Sequence, residues 1–184
     1  MLRALPYLAV GLLLFACGSD APVDEKAAKA AEMRTRIQTM EDSLFNSGLF
    51  EQRNAQALLD VYKAYATAMP LDSLAPEYLF RAAGVARSMK DPQQSIFLYD
   101  RIIRDYPSWK KLPDTYYLKA FVIDADLDRL GEAEDAYTAL ISAFPDHAYA
   151  AQARLAIENL KYTDEELIAR FKAMEADSMA SVGQ

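Results

Sequence analysis

The residues best able to do chemistry are few: the chain has one cysteine, Cys17, and one histidine, His147. Those counts exclude a cysteine-based zinc cluster, a CxxC redox pair and a multi-histidine metal site. His147 follows Pro145-Asp146 at the start of a helical stretch. No nucleophile or orienting carboxylate stands at useful spacing from it, so it reads as an exposed helix-start residue and not a general base. Two acidic runs, Asp124/Asp126/Asp128 and Glu132/Glu134/Asp135, lack the glycine turn and closing glutamate of a calcium loop. They read as a solvated charged face. The six glycines are scattered, which leaves no phosphate-cradling loop. Trp109 is the sole tryptophan, in the basic segment Pro107-Ser108-Trp109-Lys110-Lys111-Leu112-Pro113. It has two readings, a binding hot spot or a ring folded back over a long turn. No enzyme, metal site or cofactor is expected.

The elements that position these residues belong to an ordinary folded chain. Of 184 residues, 52% are apolar and 26% charged, which excludes collagenous and wholly disordered sequences. The net charge of −7 argues against nucleic acid as a partner, because phosphate binding needs a basic surface.

Residues 1–16 read as a targeting segment. Arg3 precedes a 13-residue apolar run from Ala4 to Ala16, short of the roughly 20 residues a membrane-spanning helix needs. Leu14-Phe15-Ala16-Cys17 resembles the bacterial lipobox, in which the signal is cut before a cysteine that then carries the lipid. That resemblance implies lipid attachment at Cys17 and, with Gly18 following, placement in the outer membrane facing the periplasm. Residues 17–26 have no periodicity and no large apolar anchor, and read as the lipidated cysteine with a flexible tether.

The remainder, 27–184, repeats. Tyr62/Pro70, Tyr99/Pro107 and Tyr137/Pro145 are tyrosine–proline pairs at one spacing, recurring at offsets of 37 and 38 residues. A helix-favouring stretch runs up to each proline: 55–69, 93–106 and 132–144. Proline cannot continue a helix interior, so each one marks a stop. After the prolines, Glu77-Tyr78-Leu79-Phe80-Arg81-Ala82-Ala83 and Thr115-Tyr116-Tyr117-Leu118-Lys119-Ala120-Phe121 align at the same 38-residue offset. The unit is helix, turn, helix, proline. Asp91-Pro92 and Thr163-Asp164-Glu165-Glu166 supply helix starts. Met33, Ile37, Met40 and Leu44 mark one apolar stripe, and Leu167, Ile168, Phe171 and Met174 another.

The unit resembles the tetratricopeptide repeat, whose motif spans about 34 residues. Its slots fall on Leu79, Ala82, Ala83, Ala86, Ser95, Tyr99 and Pro107 in one unit. In the next they fall on Tyr117, Ala120, Phe121, Asp124, Ala133, Tyr137 and Pro145. The second half of the motif matches well and the first half is degenerate, with four extra residues placed in a lengthened turn at 108–113. The resemblance implies an all-α fold of about eight helices in stacked antiparallel pairs, coiled as a right-handed superhelix. By the same resemblance, ligand contacts fall on the first helix of each unit: Glu77, Phe80, Gly84 and Arg87, then Thr115, Leu118, Val122 and Asp126. With Trp109 these are the candidate binding residues. The function expected is a lipid-anchored envelope scaffold that binds a peptide or helix of a partner protein, similar to repeat proteins of outer-membrane assembly or Tol–Pal maintenance. A glycan- or solute-binding lipoprotein of an uptake system is the alternative.

Overall fold

A computed structural model describes residues 25–46 and 51–182, all of whose regular structure is helical. The signal segment, Cys17 and most of the tether lie outside the described residues. Eight helices follow in order: α1 (Glu25–Asn46), α2 (Gln52–Ala68), α3 (Ala75–Ser88), α4 (Pro92–Asp105), α5 (Leu112–Ala125), α6 (Leu130–Ala143), α7 (Ala148–Asn159) and α8 (Asp164–Val182). The fold is all-α, as the sequence leads one to expect. The first helix starts at Glu25, two residues before the expected position.

The repeat written in the sequence recurs in the backbone. Met69, Tyr106 and Phe144 each precede a proline and share one conformation, with φ between −125° and −139° and ψ of 56° to 61°. The α region is closed to a residue before proline, so all three helices end there in the same way. Each residue's N–H still reaches back four residues, to Tyr65, Ile102 and Leu140. The turns within pairs also match: Lys90 and Asp128, 38 residues apart, both take positive φ, at 63° and 51°. Two helix starts use the expected caps. Asp91 accepts the Gln94 N–H at 2.9 Å. Thr163 and Glu166 cap each other reciprocally, at 2.9 and 3.3 Å.

Consecutive helices from α1 to α7 pack on one another, and α5 also meets α7. Ala82, Ala83 and Ala133 are fully buried, and their small side chains let neighbouring backbones approach. Tyr62, Tyr99 and Tyr137 are buried, at 1%, 3% and 1% exposure, against Tyr78, Phe80 and Tyr117 in turn. The main core joins α1 to α5 through Ile37, Leu58, Tyr62, Leu79, Leu98 and Ile102, among others. A smaller second core holds Ala120, Ile123, Ala133, Tyr137, Leu140 and Ala153.

The far end departs from expectation. On the apolar stripe of α8, Ile168, Phe171 and Met174 are more than half exposed. Met179 is exposed beside them, and α8 packs broadly on no other helix. A repeat unit cannot bury its apolar face alone, and no described helix covers this one.

Candidate functional site

The residues expected to contact a ligand divide into three groups. Thr115 and Val122 are fully buried, which takes both off any binding surface. The Thr115 hydroxyl donates to the carbonyl of Lys111, the residue just before its helix, at 2.9 Å. The physical reason for the misplacement is that α5 is apolar nearly all round, so no polar stripe in its sequence marks the outward face.

Most of the remaining candidates bond to one another. The Glu77 carboxylate accepts from Lys111 Nζ at 2.9 Å and Arg81 Nε at 3.2 Å. Burial alone would push this carboxyl up, but Lys111 and Arg81 outweigh it and hold it below the ordinary value of 4.5. Phe80 stands between the rings of Tyr99 and Trp109, at 5.9 and 5.5 Å, with the Lys111 ammonium 5.4 Å over its face. Trp109 is therefore the folded-back ring and packs against the main core. The Arg87 guanidinium forms a two-pronged bond to Asp126 at 2.5 and 3.1 Å and lies 4.7 Å over Phe121. Leu118 is half-buried against the main core. These contacts join α3 to α5, so the side chains staple neighbouring units together.

Gly84 alone faces open space: a Cβ there would meet nothing within 4 Å. It opens onto a cleft of about 540 Å³ between α1, α2 and α3, lined also by Glu41, Phe45, Tyr62 and Arg81. At its polar wall, Tyr62 donates to the Glu41 carboxylate at 2.5 Å and Arg81 donates to the same oxygen at 2.7 Å. Burial, then the Glu41 carboxylate, pushes the Tyr62 hydroxyl well above its ordinary value. A second trio stands beside it: Tyr65 donates to Asp72 at 2.8 Å, and Arg34 reaches both, at 3.1 and 3.4 Å.

A second cleft, about 790 Å³, lies where α5, α6 and the α7–α8 turn meet. Tyr117, Phe121, Asp124, Asp128, Tyr137, Asn159, Lys161 and Tyr162 are among its lining residues. Tyr117 stacks on Tyr149 at 4.7 Å and more loosely on Phe121 at 6.5 Å. The Tyr137 hydroxyl donates to Asp124 at 3.2 Å. Asp124 is half-buried, so the reading of the 124–128 run as a solvated face is corrected at this position. Burial pushes its carboxyl above the ordinary 3.8; the Tyr137 bond opposes this, and the Asp128 charge adds to it. No described side chain forms an ion pair with Asp124. This cleft escaped the sequence reading, although the recurrent tyrosine and an acid ending the preceding helix both signal it.

His147 is exposed, and its Nδ1 accepts the Tyr149 N–H at 3.2 Å, a helix-capping role. Among the described residues, no group of three or more His, Cys, Asp or Glu side chains is arranged to hold a metal. No described helix is long and apolar enough to cross a membrane. Comparison with known proteins gives no match among family models, curated proteins or solved structures.

Proposed function

We propose that this chain is a non-catalytic tetratricopeptide-type scaffold of the bacterial envelope, held at the outer membrane by lipid on Cys17 and offering its helical array to a protein partner. The observation that carries the reading is the packing order: consecutive helices from α1 to α7 meet one another, with buried tyrosines recurring at offsets of 37 and 38 residues. Such an array grows in one dimension, coils as a right-handed superhelix by the family resemblance, and exposes a long edge to a peptide or helix. Clefts at Gly84 and at Asp124 offer such a partner two openings. Lipidation rests on the Leu14-Phe15-Ala16-Cys17 motif.

Two measurements test the proposal. Crosslinking in cells followed by mass spectrometry is expected to recover proteins of envelope assembly or maintenance, and recovery of transporter components alone overturns it. Labelling with an alkynyl fatty acid is expected to vanish in Cys17→Ser. Labelling unchanged by that substitution removes the anchor from the account.

A further inference from the structure

Tyrosine-to-carboxylate hydrogen bonds occur three times among the described residues. In two of them an arginine shares the carboxylate: Arg81 on Glu41 at 2.7 Å, and Arg34 on Asp72 at 3.4 Å. The third, Tyr137 to Asp124, has no arginine. Its carboxylate also comes from a different register, 13 residues before its tyrosine where Glu41 lies 21 before Tyr62. Arg81 lies on the helix that follows Tyr62, and the equivalent positions after Tyr137 are Ala156 and Ile157. Neither carries a charge. The nearby arginines are engaged elsewhere, Arg87 with Asp126 at 2.5 Å and Arg170 with Glu158 at 2.6 Å. Lys161, the cleft's own cation, is exposed in the α7–α8 turn and forms no ion pair with Asp124 or Asp128.

A half-buried carboxylate without a cation bears a desolvation cost that a charged partner relieves. The space for that partner exists, since Asp124 lines a cleft of about 790 Å³. The walls select its chemistry. A planar guanidinium stacks on aromatic faces and offers paired donors to a carboxylate, which an ammonium does not. The molecule makes this contact twice within the same region: Arg87 over Phe121 at 4.7 Å and Arg170 over Tyr162 at 5.0 Å. We infer that the cleft between α5, α6 and the α7–α8 turn takes an arginine side chain from a partner protein, its guanidinium pairing with Asp124 and Asp128 against the cleft's aromatic lining. The missing member of the trio is supplied in trans. This rests on the scaffold reading and adds the partner's chemistry to it.

The test uses the full chain in mild detergent and two acetylated, amidated heptapeptides, Gly-Ser-Ala-Arg-Ala-Ser-Gly and its citrulline counterpart, which keeps the shape and removes the charge. Binding is followed by calorimetry into the low-millimolar range. The arginine peptide is expected to bind saturably, at least tenfold more tightly than the citrulline peptide. Asp124→Asn, which keeps the size and the Tyr137 bond, is expected to lose at least tenfold, and Glu132→Gln is expected to lose nothing. Equal binding of the two peptides, no binding of either, or full binding by Asp124→Asn overturns the assignment. Agmatine matching the peptide's affinity also overturns it, in favour of a small free cation. Crosslinking that still recovers envelope proteins while Asp124→Asn changes nothing sinks the cleft and leaves the scaffold standing. Loss of those partners from the unmodified chain sinks the scaffold itself.

Discussion

The two ends of the array use one device and finish it differently. Around α1–α3, Tyr62 and Tyr65 donate to Glu41 and Asp72, and arginines complete both groups over a continuous core. Around α5–α8, Tyr137 donates to Asp124, no cation follows, and the core beneath is smaller. The apolar face of α8 then looks outward at Ile168, Phe171 and Met174. The difference teaches where such an array keeps its stability and where it keeps its availability. Polar groups satisfied internally rigidify a unit, whereas a carboxylate left without a cation is a surface waiting for one.

The comparison breaks first at the core. Leu79→Ala removes a fully buried side chain from the larger core and is expected to cost about 3 kcal/mol in urea unfolding. A cost below about 1 kcal/mol would show that this end is no better packed than the other. Next in size is Arg81→Met, which keeps the stem but leaves Glu41 and Glu77 without their guanidinium. Arg81 is partly exposed, so solvent screening limits the expected loss to about 1 kcal/mol.

At the other end, the sign should reverse. Asp124→Asn is expected to be neutral or slightly stabilising at pH 7, because the folded chain holds this carboxyl above its ordinary 3.8. A raised folded-state value favours folding below 3.8 and loses that contribution as pH rises through the raised value. The stability difference between Asp124→Asn and the parent should therefore close on acidification, and a clear loss on substitution at pH 7 would contradict this. Asn159→Arg places a guanidinium at the cleft and is expected to gain about 0.5 kcal/mol while abolishing arginine-peptide binding. Smallest of all, Phe171→Ala on the exposed face of α8 should change unfolding by less than about 0.5 kcal/mol.

Much of this was legible in the sequence. The tyrosine–proline spacing located the repeat, because proline forces one terminus geometry each time it recurs. Asp91 and Thr163 marked helix starts because capping is local chemistry. The binding residues were less legible. Arg87–Asp126 and Lys111–Glu77 join residues 39 and 34 positions apart, from α3 to the two ends of α5. A repeat motif shows that such positions are neighbours but not that their charges cancel. Thr115 and Val122 were misplaced because α5 buries nearly its whole circumference, so its sequence carries no outward stripe. The outward turn of α8 was hidden for the opposite reason. Its stripe is clear, but a stripe cannot say whether a following unit exists to cover it.

The central claim is that the tyrosine-bonded carboxylates at one end of the array have their cations and the one at the other end, Asp124, does not. Carboxyl-carbon NMR titration of Glu77 and Asp124 in the same sample tests it most directly. The account predicts that Glu77 titrates below 4.5, held down by Lys111 and Arg81, while Asp124 titrates above 3.8 and moves down when the arginine peptide is added. Asp124 titrating at or below its ordinary value without peptide would mean that the cleft already holds its cation, and the contrast between the two ends would be lost.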